Sequence, residues 1–227
     1  MIVFDKVSLK YPYDEYAVIK DASFALTAGV NTVLCDVQSG KSSLCRLLIK
    51  EVSPTSGKIL SDGEDISRIT NERLGILYLP NKPVFFERRS VLYNIAYPLK
   101  LRKVAKSERL SRAREIADSL HISDVNVRAG QLDERTRKAA ALARGLTVKR
   151  NAVLFDDFFG GAEYVDGVLD LFDADIKAVF TSDVSLARGN VTVMDGGYTV
   201  FCGGAEEAQK AVEKLMWNYD GLRRENG

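Results

Sequence analysis

Residues 35–44 read CDVQSGKSSL and lie between an apolar run typical of a buried strand and a segment with helical spacing. A loop in this place turns the N–H groups of a helix amino terminus toward one point, where the helix dipole favours negative charge. Gly40, Lys41 and Ser42 match the second half of the pattern G-x-x-x-x-G-K-[ST], whose backbone, lysine and hydroxyl bind phosphates and Mg²⁺. The segment therefore predicts a phosphate-binding loop, and it constrains the chain more than any other feature.

The first half of the same pattern is altered. Cys35 stands where the first glycine is expected, and Gln38 occupies a position where a positive φ is easy only without a Cβ. Taken alone, SGKSSL also fits an ordinary turn whose serines cap a helix. The preceding strand and the following helix favour the phosphate loop, with these residues predicted to bind a nucleotide: Gln38, Ser39, Gly40, Lys41, Ser42 and Ser43.

A second motif, AVLFDD, is an apolar strand that ends in Asp156 and Asp157. A carboxylate at such a strand end can bind Mg²⁺, and a second carboxylate beside it can activate a water molecule. Paired acids at a strand end also occur in plain turns, so this motif gains its meaning from the phosphate loop. We therefore expect Asp156, together with Ser42, to bind the metal and Asp157 to be the candidate base.

The chain alternates between predicted strands and helices, except for a helical stretch in the middle. Strand patterns are predicted at 2–9, 17–26 and 30–34, before the loop, and helical spacing dominates from 90 to about 146. The remainder returns to strands and helices, including a helix near 163–172, and closes with an amphipathic helix from Ala205. Near-continuous apolar strands separated by helices predict an α/β fold with a mostly parallel sheet covered on both faces.

Composition excludes several classes of protein. The 227 residues carry 32 basic and 31 acidic side chains, so the net charge of +1 gives no indication of nucleic-acid binding. Three cysteines without ligand spacing and a single histidine argue against a disulfide framework and a multi-histidine metal site. No signal peptide or membrane-spanning stretch is predicted, which favours a cytoplasmic protein without direct membrane insertion.

Together these motifs resemble the ATP-binding cassette (ABC) ATPase subunits of membrane transporters, in particular those of importers. The resemblance covers nearly the whole chain, including the segments VSLKYP, SGKILSDGEDIS, SVLYNIAYPLKLRK, ALARGL and VTVMDGGYTVFCGGAEE. It implies a P-loop NTPase of ABC type over 1–227, in which 1–89 and 147–227 form the α/β core and an antiparallel β lobe. Residues 90–146 would form an inserted helical lobe.

The same resemblance implies cofactors and partners. ATP and Mg²⁺ would be the cofactors, with Tyr11 at the adenine-stacking position. The chain would pair with a second cassette, either a copy of itself or a different one. It would also bind membrane permease subunits at the inner face of the membrane, since family members dock as head-to-tail dimers beneath a permease.

The family signature, usually LSGGQ, is replaced. Counting back from ALAR, its positions are Leu132, Asp133, Glu134, Arg135 and Thr136. The signature normally directs a hydroxyl, glycine N–H groups and a helix amino terminus at the partner's γ-phosphate. At roughly 4 Å, two unit charges of the same sign repel by about 4 kcal/mol at an effective dielectric near 20. Asp133 and Glu134 would therefore oppose the phosphate, with Arg135 offsetting part of the repulsion.

Further positions differ from the family pattern. The lid glutamine, a metal-site residue, falls on Asn81, the catalytic glutamate is Asp157, and the switch histidine is Ser182. Each replacement is shorter or lacks the ring that positions the γ-phosphate, and a proton acceptor must come within hydrogen-bond reach of the attacking water. We therefore expect weak or absent ATP hydrolysis by the chain alone.

Three functions remain open at this stage. The first is an ATP-binding transporter subunit with degraded catalysis, and the second is a non-hydrolytic pseudo-ATPase that acts as a docking or regulatory module. The third is an active homodimeric transporter ATPase, which the charges at Asp133 and Glu134 disfavour.

Overall fold

The computed structural model describes residues 1–36 and 40–225, with side chains described as far as residue 215. Gln38 and Ser39 lie outside the described residues. The strands are β1 (Ile2–Leu9), β2 (Ile19–Leu26), β3 (Gly29–Cys35), β4 (Ser56–Ser61), β5 (Glu64–Asp65), β6 (Ile76–Pro80), β7 (Ala152–Asp156), β8 (Ile176–Thr181), β9 (Asn190–Asp195) and β10 (Tyr198–Gly204). The helices are α1 (Lys41–Leu48), α2 (Asn71–Leu74), α3 (Val91–Leu101), α4 (Lys106–Ser119), α5 (Glu134–Leu146), α6 (Val165–Asp170) and α7 (Ala205–Glu225).

The strands form two sheets. The larger sheet has the order β10-β9-β3-β8-β7-β6, and its neighbours are parallel except for the antiparallel hairpin of β9 and β10. The smaller sheet, β2-β1-β4-β5, is antiparallel. The predicted fold class, an α/β fold with a mostly parallel core and an antiparallel β lobe, is confirmed.

The central strands β7 and β8 of the larger sheet are buried on both faces, which explains why they are almost continuously apolar. In β7, Ala152 and Leu154 join a core that contains α1 and the smaller sheet. Val153 and Phe155 face the opposite core, which contains α3, α4, α5 and α6. Successive side chains of a strand point to opposite faces. Every residue of β7 is buried, because each face of the strand is covered by one of the two cores.

Some predicted boundaries shift in the structure. The strand predicted over 17–26 begins at Ile19, and the segment GKILSDGED forms β4 and β5, which pair through a turn at 62–63. The helix predicted near 163–172 is a 3₁₀ turn followed by α6. Helices α3, α4 and α5 occupy the middle stretch, where helical spacing was predicted.

Candidate functional site

The carboxyl ends of neighbouring parallel strands bring the predicted site residues to one edge of the larger sheet. β3 ends at Cys35 and β7 at Asp156, and in the ladders Leu34 pairs with Thr181 and Pro80 with Asp156. The residues that follow β6, β7 and β8 are Asn81, Asp157 and Ser182, while the phosphate loop follows β3. Ligands of open α/β sheets bind outside this edge. The edge is therefore the candidate site.

Gly40 opens helix α1 in a conformation that only glycine adopts easily. Its φ is +88°, and its carbonyl accepts the N–H of Leu44 at 2.9 Å. A Cβ added here would lie 2.4 Å from the Ile19 side chain and 3.0 Å from the Val18 carbonyl oxygen. Gly40 therefore allows the tight turn that precedes the helix. The first turn of α1 contains no acidic residue.

Cys35, which stands at the position of the first glycine of the motif, belongs to strand β3. It is the last residue of β3, pairs with Met194 in the ladder, and is 2% exposed. The backbone there is an extended strand, which any residue adopts, so the lost glycine costs no strain at this position. The side chain is packed in the core cluster that also contains residues of α1.

Lys41 is the first residue of α1 and forms an ion pair with Asp157. Its Nζ lies 2.5 Å from the Asp157 Oδ2, and the two side chains are 13% and 39% exposed, respectively. Asp157 follows β7 with a φ of +45°, and its N–H donates to the Phe180 carbonyl at 2.9 Å. The lysine of the phosphate loop and the candidate base are therefore joined directly.

Asp156 is buried beside a hydrogen-bond donor that the sequence analysis missed. The Tyr78 hydroxyl on β6 donates to the Asp156 Oδ2 at 2.8 Å. Burial, and then the interaction with Asp156, raises the pKa of Tyr78 above its ordinary value, so the phenol stays a donor. The register pairs Tyr78 with Leu154, which puts Tyr78 and Asp156 on the same face of neighbouring strands. A lone phenol in the apolar segment LGILYLP was the available signal, since a buried tyrosine hydroxyl usually has a partner.

The other oxygen of Asp156, Oδ1, is buried and has no hydrogen-bond partner within the described residues. A buried charged oxygen without a partner is costly, so such an atom fits a site that a cation or its bound water completes. The hydroxyl of Ser42, exposed at the start of α1, is a second oxygen donor of the kind that Mg²⁺ prefers. No three His, Cys, Asp or Glu side chains in the described ranges are grouped to hold a metal by themselves.

Tyr11 contacts Ser43 in the first turn of α1. The Tyr11 hydroxyl donates to the Ser43 Oγ at 3.1 Å, and Ser43 is 8% exposed. Hydrogen bonding with Tyr11 also raises the pKa of Arg46 on the same helix. Tyr11 is thus fixed against α1, while its adenine-stacking role stays a prediction. Asn81 and Ser182 are exposed at the same sheet edge.

The signature position lies at the start of α5, on the helical segment. Asp133 is the N-cap, and its two oxygens accept the Thr136 N–H and the Thr136 hydroxyl, each at 2.8 Å. These bonds, led by the one from the backbone, lower the pKa of Asp133. Glu134 pairs with Lys138 at 3.4 Å. The substitution therefore caps the helix, and its effect on a partner's phosphate stays a prediction for Leu132 to Thr136.

Within the described part of the chain, no helix combines the length and the hydrophobicity that a membrane span requires.

Known proteins similar to the chain point in the same direction as the site. A model of the ABC transporter family matches residues 19–160, a stretch that contains the phosphate loop, α3 to α5 and the two aspartates at the end of β7. The match ends before Ser182. The molybdate/tungstate import ATP-binding protein WtpC of Pyrococcus horikoshii is 32% identical over 158 residues, which cover 69% of this chain and 46% of the relative.

Other relatives are named for other substrates. The Fe(3+) ions import ATP-binding protein FbpC of Mannheimia succiniciproducens is 29% identical and covers 64% of this chain and 42% of its own length. The sulfate/thiosulfate import ATP-binding protein CysA of Mycobacterium bovis is 29% identical over a match that covers 66% of this chain and 44% of the relative. The chain thus spans less than half the length of the curated relatives that it matches.

The fold is also that of a solved structure, a bacterial Atm1-family ABC exporter with ATP bound. The TM-score is 0.78 over 96% of this chain and 42% of the exporter chain, and the sequences are 21% identical, so this likeness concerns the fold alone. With the family match covering more than half of its length, the chain belongs to the ABC transporter family, and its fold is the P-loop ATPase fold of that family.

Proposed function

We propose that the chain is an ATP-binding subunit of an ABC importer that binds Mg-ATP and hydrolyses it weakly when alone. The observation that carries the proposal is Lys41 at the amino terminus of α1, at the same sheet edge as the buried Asp156, whose Oδ1 has no hydrogen-bond partner in the described part of the chain. The relatives WtpC, FbpC and CysA are named as import ATP-binding proteins, which supports the importer assignment.

The residues present fit the cofactors. Lys41 and the N–H groups at the start of α1 would hold the β- and γ-phosphates, and Gly40 keeps the backbone bare for them. Ser42 and the Oδ1 of Asp156 would hold the magnesium ion. When bound, that ion supplies positive charge to the phosphate oxygens. Tyr78 fixes the orientation of Asp156 through its hydrogen bond.

Hydrolysis requires more than binding, and here the chain is poorly equipped. Asp157 would accept the proton of the attacking water, yet its Oδ2 is engaged by Lys41 at 2.5 Å. Ser182 has no ring to contact the γ-phosphate, and Asn81 is one methylene shorter than a glutamine. Since a general base must lie within hydrogen-bond reach of its proton, these changes favour binding over turnover.

We further propose that the chain works in a pair of cassettes, with permease subunits, at the inner face of the membrane. A partner with an intact signature would complete the site above Lys41. The reciprocal site would place Asp133 and Glu134 opposite the partner's phosphate, where like charges repel. A heterodimer therefore suits this chain better than a homodimer.

Calorimetry with Mg-ATP on the purified chain tests the proposal. We expect binding by the wild type and a loss of at least about tenfold in affinity for Lys41→Ala, since ~1.4 kcal/mol corresponds to tenfold. Lys149→Ala is the matched control, because Lys149 is in an exposed ion pair with Asp173, away from the phosphate loop. Absence of binding by the wild type at millimolar Mg-ATP would overturn the proposal. Phosphate release measured on the same preparation should be slow, and brisk release that Asp157→Asn abolishes would instead support an active homodimer.

The second candidate is a docking module that binds no nucleotide. The ion pair of Lys41 with Asp157 favours it, because this carboxylate already occupies the lysine. The replacement of the first motif glycine by Cys35 gives this candidate little support, because that side chain is buried at the end of β3. Thermal stabilisation by Mg-ATP in the wild type, lost in Lys41→Ala, would exclude this candidate.

A further inference from the structure

The ion pair between Lys41 and Asp157 differs from the other ion pairs of the described residues. Its cation is 13% exposed, the lowest value among them, whereas the exposed pair of Lys149 and Asp173 has values of 75% and 89%. A covered ammonium is screened less by water and salt than an exposed one, so its interaction with a carboxylate is stronger. The pair is therefore more than a surface contact.

The backbone holds Asp157 in place for this contact. Its φ of +45° lies in the left-handed region, which non-glycine residues adopt at an energetic cost, although aspartate and asparagine tolerate it better than most. The N–H of Asp157 donates to Phe180 on the neighbouring strand, which anchors the turn. The carboxylate is thus presented to Lys41 by a fixed loop.

We infer that Asp157 is an internal counter-ion that occupies Lys41 in the nucleotide-free protein, so that a nucleotide polyphosphate must displace the carboxylate to reach the lysine. The inference rests on the proposed function and adds its regulation. Nucleotide binding is then an exchange of anions on Lys41, and Asp157 lowers the affinity of the chain for any nucleotide polyphosphate that must displace it.

The first test is a double-mutant cycle without nucleotide. Lys41→Met keeps the aliphatic stem, and Asp157→Asn keeps a residue that tolerates the left-handed backbone. Urea unfolding of the wild type, both single variants and the double variant should give non-additive midpoints, because residues in contact couple. The same cycle on Lys149→Met and Asp173→Asn is the control and should be close to additive.

The second test measures the binding of Mg-ADP. ADP has no γ-phosphate to be cleaved, so its affinity reports binding without turnover. We expect Asp157→Asn to bind Mg-ADP about tenfold more tightly than the wild type, equivalent to ~1.4 kcal/mol. The gain should vanish in the Lys41→Met background. Simple repulsion between Asp157 and the phosphates would instead give the same gain in both backgrounds.

Each outcome has one reading. The counter-ion inference is overturned by any of three results. These are additive unfolding midpoints for Lys41 and Asp157, an unchanged Mg-ADP affinity in Asp157→Asn, and an equal gain in affinity in both backgrounds. If neither the wild type nor Asp157→Asn binds Mg-ADP or Mg-ATP, the proposed function fails, and this regulation fails with it. A non-additive cycle together with a Lys41-dependent gain supports both.

Discussion

Replacing Tyr78 by phenylalanine removes one hydroxyl from the candidate site and keeps the ring. That hydroxyl donates to the Asp156 Oδ2 at 2.8 Å, and the partner oxygen Oδ1 has no hydrogen bond within the described residues. Asp156 is only 4% exposed. Tyr78→Phe therefore leaves a buried carboxylate without the donor that the structure assigns to it.

The expected loss follows from the type of bond. A hydrogen bond to a charged group contributes about 1.5–3 kcal/mol, and a buried partner left unsatisfied carries its own desolvation penalty. We expect Tyr78→Phe to lower the free energy of unfolding by about 2 kcal/mol. For a chain of this length, that loss lowers the melting temperature by roughly 4–8 °C.

Urea unfolding by linear extrapolation measures the loss, with the midpoint shifting and the slope unchanged. Tyr93→Phe is the control, because Tyr93 is only partly buried and its hydroxyl accepts a long bond of 3.4 Å from Lys100. The control should change stability by less than ~0.5 kcal/mol. A loss for Tyr78→Phe no larger than that of the control would refute the reasoning.

The pH dependence provides an independent check on the same residue. Burial raises the folded-state pKa of Tyr78 above the ordinary 10.0, so the neutral phenol is the stabilised form. Its contribution is fully present below pH 10 and is lost as the pH rises through the folded value. The difference in stability between the wild type and Tyr78→Phe should therefore be constant from pH 6 to 9 and shrink above about 10. A difference that falls between pH 6 and 9 would contradict this assignment.

Three further changes test other parts of the chain. Gly40→Ala should cost about 1–3 kcal/mol and weaken Mg-ATP binding, because φ is +88°; unfolding and calorimetry measure both effects, and an unchanged stability would contradict the predicted strain. Asp133→Ala should lower the melting temperature and Asp133→Ser should largely restore it, since serine also caps the N–H of Thr136; equal melting temperatures for the two variants would refute the capping role. The hydrogen bond with Arg137 lowers the pKa of Glu87 from 4.5. Glu87→Gln should therefore be less stable than the wild type above pH 4.5, and the difference should shrink as the pH falls through the lowered pKa. Denaturation curves at pH 7 and pH 3 measure this difference, and a constant difference would contradict the prediction.

The sequence was sufficient to predict most of the strands and helices. It was also sufficient to predict that the site residues meet at one edge of the larger sheet. Gly40 and Lys41 follow a buried strand, and Asp156 ends another, so parallel pairing brings them together without knowledge of any side-chain contact. Period-two and helical patterns are local properties, which explains why most boundaries agree to within a few residues. Short elements such as α6 were less well predicted, since a 3₁₀ turn precedes that helix.

The pairings inside the site could not be predicted in the same way. Tyr78 contacts Asp156 across 78 positions of the chain, and Lys41 contacts Asp157 across a similarly long separation. Neither pairing follows from spacing, because each depends on strand register and on the turn after β7. The effect of Cys35 was also hidden, since the sequence does not reveal that β3 extends to include it.

Compared with the family pattern, the chain keeps the motif features that depend on the backbone and alters those that depend on the length of a side chain. The phosphate grip depends on the turn at Gly40, the amino terminus of α1 and one lysine, and a change of side chain elsewhere leaves these intact. Cleavage depends on groups placed within hydrogen-bond distance of the reacting atoms, and a single methylene is enough to break that requirement. In the proposed function, Asp157 would be withdrawn from the water that it has to activate, because it is shorter than a glutamate and is paired with Lys41. We therefore expect the two properties to separate in this chain, with nucleotide binding retained and turnover dependent on what a partner cassette contributes.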